Sequence, residues 1–204
     1  NAHHHIYSAF ARGLSIPGNC ATDFPGVLEG TWWNIDRHLM RPMTRMSAYM
    51  TLIEGIRSGV TTIFDHHASF GEIKGSLDEI AEAATTLGVR ACLCYEISDR
   101  DGAEKARQSV LENERFENYC KTDKSGLLGA MCGMHASFTI SEETMAFARE
   151  HTNAGFHIHV CEGAYDRDHC SATYHETVVH RLARHGILGG QTICGHCVYL
   201  TDED

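Results

Sequence analysis

Short apolar runs rich in β-branched residues alternate along this chain with longer stretches of helical period. Residues 59–67 (GVTTIFDHH), 89–97 (VRACLCYEI) and 155–162 (GFHIHVCE) read as buried strands, and so does 190–197 (GQTICGHC). A strand is also expected within GLLGAMCGMHASF (126–138) and another at the start, in NAHHHIY. Between them lie helical patterns. SLDEIAEAATTLG (76–88) ends in Gly88, a C-cap residue; residues 102–120 carry a charged outer face; residues 173–186 (TYHETVVHRLARHG) form a further helix. At 141–153, Ser141 followed by acids reads as a capping box opening a helix.

Strands that alternate with helices imply parallel βαβ units. A closed (β/α)8 barrel needs eight strands and about 250 residues, and this chain supplies about six strands. The expected fold is therefore α/β, a partial (β/α)8 TIM barrel truncated at both ends. Residues 1–204 would form one barrel domain, part of a longer polypeptide. Residues 12–45 are long for a βα loop and hold Trp32 and Trp33, so they would shape the active site or cover a small apolar cluster of their own. The Met-rich helix from Met40 to Met50 reads as core or interface packing, and a homodimer is one option.

Composition narrows the partners. With 43% hydrophobic and 22% charged residues the chain is globular rather than disordered. A net charge of -10 argues against nucleic acid, and no apolar stretch is long enough to span a bilayer, which excludes a membrane partner. Nine scattered cysteines fit buried free thiols in a reducing compartment, hence a cytoplasmic location. Fifteen histidines point to metal or proton-transfer chemistry.

The histidines fall into motifs. His3 and His5 share one strand face, with His4 pointing away; a tag remnant is the competing reading of this run. His157 and His159 repeat the spacing, with Glu162 just past the strand end. His196 ends the last strand in CGHC. Parallel barrel strands present their C-terminal ends to one mouth, so these side chains can converge. CGHC also fits a redox C-x-x-C, a reading that needs a thiol ionising well below neutrality. From the residues alone, Glu162 is an exposed loop acid followed by Asp166 and Asp168.

NAHHHIYS, GVTTIFDHHAS, GMHASFTIS, HIHVCE and CGHCVYL, in this order, resemble strands one, two, four, five and six of the amidohydrolase superfamily. The resemblance lies in its cytosine deaminase-like and chlorohydrolase-like branch. YSAFARGLSIPG, WWNIDRHL, FDHHAS and CYEISDRDG bring it closest to SsnA-type aminohydrolases. It covers essentially the whole chain and makes His3 and His5 native residues. The family's small N-terminal β-domain and its strand-eight aspartate are not in this sequence.

The resemblance implies a hydrolase acting on carbon–nitrogen bonds, first a deaminase of a small cyclic nitrogen compound. The alternative is an amide or chloro-substituted heterocycle hydrolase on the same site. It implies one divalent metal, zinc before iron, held by His3, His5 and His159, which lowers the pKa of a bound water. Glu162 would shuttle protons from an enclosed position. His196 would orient the attacking oxygen or join the ligands. His135, His67, Ser8 and Arg12 would contact substrate. Ser8 stands where purine-binding members often carry Gln, which argues against guanine.

Overall fold

The strand pairs β2–β3, β2–β4, β4–β5 and β5–β6 are all parallel. The computed structural model describes all 204 residues and divides into two units, Asn1–Cys94 with Asn118–Ala130, and Tyr95–Glu117 with Met131–Asp204. Strand order is β1-β2-β4-β5-β6, with β3 beside β2.

The first unit opens not with the expected strand but with one parallel bridge, from His4 to Asp65 in β1 (Thr62–His67). The Asp65 carboxylate explains the stop. Its Oδ1 accepts from the Ile6 amide at 2.6 Å, and the Ser8 amide turns back to the His5 carbonyl at 3.2 Å. The chain leaves the sheet there in a 3-10 turn, Ile6–Ala11. Residues 12–45, read as a loop, are largely helical. Asp23 caps α1 (Phe24–Val27), where Pro25 sits in the first turn. A wide π-helical turn leads into α2 (Trp33–His38), and α3 (Arg41–Arg57) follows.

Of the two expectations for helix α3, core packing does not hold for Met43 and Met46, which are 53% and 57% exposed, while interface packing is compatible with that exposure. Its buried face is small, formed by Thr44, Ser47 and Ala48 with Leu52. Next come α4 (Ser76–Leu87) and β2 (Arg90–Ile97). Gly88 closes α4 as expected, at φ 73° in the left-handed region that a residue without Cβ enters at no steric cost. The first half of β2 pairs β3 (Leu128–Ala130), through Ala91 and Leu128.

In the second unit the end of β2 pairs β4 (Cys132–Ala136), so the single strand expected at 126–138 is two pieces on different halves of one neighbour. Asn113 of α5 (Ala103–Thr122) holds this region. Its Oδ1 accepts from the amides of Tyr95 (2.8 Å) and Gly133 (3.2 Å), while Nδ2 donates to the Tyr95 carbonyl at 2.8 Å. β5 (Phe156–Val160) and β6 (Ile193–His196) complete the unit, with Val160 beside His196. Gly155 lets β5 start hard against the Gln191 backbone, where any Cβ would collide with its carbonyl oxygen.

α6 (Glu142–His151) separates β4 from β5. Its third residue is Thr144, so the capping box is reduced to Ser141 Oγ accepting from the Thr144 amide at 3.2 Å. After β5 come α7 (Ala164–Tyr174) and α8 (Val178–Arg184). The helix expected at 173–186 is broken at His175, whose φ is 58°, and α7 was not expected. Met134, Met145, Phe156, Ile158, Val178 and Leu182 fill the core of this unit. Each contributes about 1.5–3 kcal/mol by leaving water. This parallel strand–helix order is the one expected of a partial barrel. No helix is long and apolar enough to cross a membrane.

One charge cluster in this unit gives a pH prediction. Burial opposes the Glu142 charge, but hydrogen bonds from Arg184, Arg181 and His185 outweigh it and bring the carboxyl down to about 2. A depressed carboxyl stabilises the fold above its unfolded pKa, near 4.5, and that contribution disappears as pH falls toward 2. At 37% side-chain exposure solvent screens the cluster. Its worth is therefore about 1 kcal/mol, against ~3 kcal/mol for an unscreened shift of that size. Denaturant melts of Glu142→Gln should show a flatter loss of stability between pH 5 and pH 2.5, and an unchanged slope would remove the cluster from the acid response.

Candidate metal and catalytic centre

Each unit gathers histidines around a strand end. In the first, the rings of His3 and His5 meet edge to face at 4.8 Å, and His66 lies 5.6 Å from His5 and 6.3 Å from His3. His4 turns the other way, with its Nδ1 3.8 Å from Asp65. The i, i+2 expectation for His3 and His5 therefore holds although the strand there is only a bridge. His5 Nδ1 lies 2.8 Å from the His66 carbonyl oxygen. A carbonyl only accepts, so Nδ1 carries the hydrogen and Nε2 keeps its lone pair.

The second unit repeats the device. His159 Nδ1 lies 2.7 Å from the His135 carbonyl oxygen, which again assigns the hydrogen to Nδ1 and the lone pair of the neutral ring to Nε2. His135 Nδ1 lies 2.7 Å from Thr139 Oγ1, whose own hydrogen goes to the Ala136 carbonyl at 3.1 Å. His135 Nδ1 is thus the donor, and its Nε2 is also an acceptor. A register shift between Met134 and Ala136 brackets His135, whose ring centre lies 5.5 Å from that of His159. His196 stacks on His159 at 5.4 Å and places Nε2 3.5 Å from Glu162 Oε2.

These donors suit a divalent ion of the zinc type. His5 and His159 each hold Nδ1 against a backbone carbonyl, so the neutral ring of either would present Nε2, the arrangement that metal-binding histidines need.

Other expected residues stand apart. Ser8 donates to the His5 carbonyl at 2.8 Å. Arg12, with a 71% exposed side chain, pairs with Glu54 at 2.7 Å. Both line a pocket of about 350 Å³ with His4, not with His3 or His5. His67 is fully buried, with Nε2 3.0 Å from Ser69 Oγ, and burial followed by the charge of His5 brings its pKa down to about 3. It is a neutral histidine of the interior. His66 faces the His3–His5 pair in its place, and the sequence offered no sign of which of the two would do so. Glu162 is 41% exposed, more open than the enclosed position expected. Burial raises the thiols of both Cys194 and Cys197, so neither meets the requirement of the redox reading, and all nine cysteines are unbridged.

Comparison with known proteins places the chain in a family. The sequence model of the amidohydrolase family matches residues 1–204. The chain is 32% identical over 207 residues to a 5'-deoxyadenosine deaminase of Methanosarcina barkeri, covering 100% of this chain and 45% of that protein. It is 28% identical over 210 residues to a 5-methylthioadenosine/S-adenosylhomocysteine deaminase of Thermoanaerobacter pseudethanolicus, covering 100% and 46%. The chain thus spans about half the length of the curated relatives it matches. A crystal structure of an adenosine deaminase from Xanthomonas campestris with bound zinc superposes with a TM-score of 0.79 at 19% identity, over 99% of this chain and 44% of that one. That likeness gives the barrel fold.

Proposed function

Because the chain belongs to the amidohydrolase family, we propose that it carries the metal and proton-transfer residues of a hydrolytic deaminase. The substrate we infer is a small heterocycle bearing an exocyclic amine, and adenosine derivatives are the first class to test because two relatives carry such names. His3, His5 and His159 would hold one divalent ion, zinc before iron, with His196 beside them. The observation that carries this reading is the shared tautomer. His5 and His159 each have Nδ1 tied to a backbone carbonyl, at 2.8 and 2.7 Å, which makes Nε2 the lone-pair nitrogen of the neutral ring, the atom a metal ligand uses.

When bound, such an ion supplies Lewis-acid activation of water near neutral pH. The rest falls to side chains. The Glu162 carboxylate takes one proton from the attacking water and passes it to the ring nitrogen, then carries the second proton of that oxygen to the departing amine. The water oxygen becomes bonded to carbon, the carbon–nitrogen bond breaks, and ammonia leaves. His196, 3.5 Å from Glu162, orients the attacking oxygen and supports the carboxylate's charge. His135 offers Nε2 as an acceptor to a substrate N–H or O–H.

The test is ammonia release by the full, metal-loaded polypeptide from a panel of adenosine derivatives, guanine, cytosine, hydantoins and chloro- and amino-triazines. Ammonia from an adenosine derivative is the expected outcome. Chloride release without ammonia, or ring opening of a hydantoin, would replace deamination with the alternative hydrolase reading.

A further inference from the structure

The acid read from sequence as part of an exposed loop, Asp166, is buried in the first turn of α7. Its two oxygens do different work. Oδ1 accepts from the Phe138 amide at 3.2 Å, and Oδ2 accepts from the Cys161 amide at 3.0 Å. Phe138 lies in the turn after β4, between His135 and Thr139. Cys161 follows β5 and directly precedes Glu162.

Cys161 holds a φ of 48°, the left-handed region that a residue with a Cβ enters only at a steric cost. Something must keep it there. Its carbonyl accepts from the Tyr199 amide at 2.9 Å, and its amide is held by Asp166. This turn sets the direction in which Glu162 leaves the strand. The loop after β4 is held from its other side by Arg181, a fully buried side chain that donates to the carbonyls of Ser137 (2.7 Å) and Ile140 (2.8 Å). Burial raises the Asp166 carboxyl to about 6 against the amides of Cys161 and Phe138 and the charge of Arg181. It is therefore mostly ionised at neutral pH, with both oxygens free to accept.

We propose that Asp166 is a positioning residue for the reaction: its carboxylate ties the loop that carries Glu162 to the loop that follows His135. The proposal rests on the reading of Glu162 as the proton carrier. Asn has one acceptor oxygen, so Asp166→Asn loses one of the two amide bonds and turns an N–H toward the other amide.

In the full, metal-loaded polypeptide acting on 5'-deoxyadenosine, D166N should lower kcat by about 10–100-fold, the usual cost of losing an outer partner. KM and metal content should stay nearly unchanged. In the Glu162→Gln background the same change should cost nothing further, because the group it positions is gone. Asp166→Glu keeps both acceptors on a longer arm and should recover part of kcat; it carries the test if D166N fails to fold. A wild-type kcat in D166N overturns the proposal. So does an equal loss in both backgrounds, or a folded D166E no better than D166N. Near-normal turnover by E162Q alone overturns both readings, whereas an impaired E162Q beside a normal D166N overturns only the positioning role.

Discussion

Glu162→Gln is expected to retain its metal and to lose kcat by about 10²–10⁴-fold, the range typical of a general acid/base group. The substitution preserves shape and removes only the capacity to exchange a proton. No proposed ligand is altered, since Glu162 faces His196 Nε2 at 3.5 Å and an amide can keep that contact. The 41% exposure of the side chain adds a second expectation. Solvent reaches this position, so in Glu162→Ala, whose truncated side chain leaves room, a small carboxylic acid such as formate should diffuse in and restore part of the lost rate. Steady-state kinetics with and without formate, together with metal analysis by plasma mass spectrometry, check both. Near-normal turnover in E162Q would remove Glu162 from the mechanism.

His159→Ala should fail in another way, by losing the metal and with it all measurable turnover. Its ring is buried, stacks on His196 at 5.4 Å and is aimed by the His135 carbonyl. Loss of an outer partner of a ligand typically costs about 10–100-fold in metal affinity, and loss of the ligand itself should cost more. The truncation also leaves a cavity in the core, so melting curves must accompany the measurement, with a destabilisation of about 2–5 kcal/mol expected for a large-to-small change. Thr139→Val is the control. It releases His135 Nδ1 and leaves His159 held, so metal content should be normal while KM rises. A His159→Ala protein with a stoichiometric ion would exclude His159 as a ligand.

The parts of the fold that were legible in the sequence are those that local pattern controls. The strand at Thr62–His67 and the helix Ser76–Leu87, capped by Gly88, follow directly from apolar period and a glycine cap. The facing of His3 and His5 follows from alternation, which survives even where the backbone makes one bridge instead of a strand. Other features depend on contacts far away in sequence. Asp65 ends the first strand by capturing the Ile6 amide, a pairing across 59 residues that no local rule anticipates. Asp166 reads as a solvated acid until Phe138 and Cys161 are placed around it. Helix α1 is a different case. Asp23 before Phe24 and Pro25 is a cap followed by a first-turn proline, and that signal was open to reading. The exposed methionines of α3 rule out only the core half of the core-or-interface reading, because a side chain's apolar character does not say which surface covers it.

The hydrogen bonds that set the imidazole tautomers differ in what holds them. For His5 and His159 the acceptor is a main-chain carbonyl, an atom every amino acid possesses. Substitution of His66 or His135 changes a ring but leaves that carbonyl in place, so the nitrogens proposed to ligate the metal are insulated from mutation at the very residues that anchor them. His135 depends instead on the Thr139 hydroxyl, which a single codon change can abolish. Under drift or directed evolution, ligand orientation should therefore persist while position 139 varies. Libraries that seek a new substrate at constant metal loading should be built there.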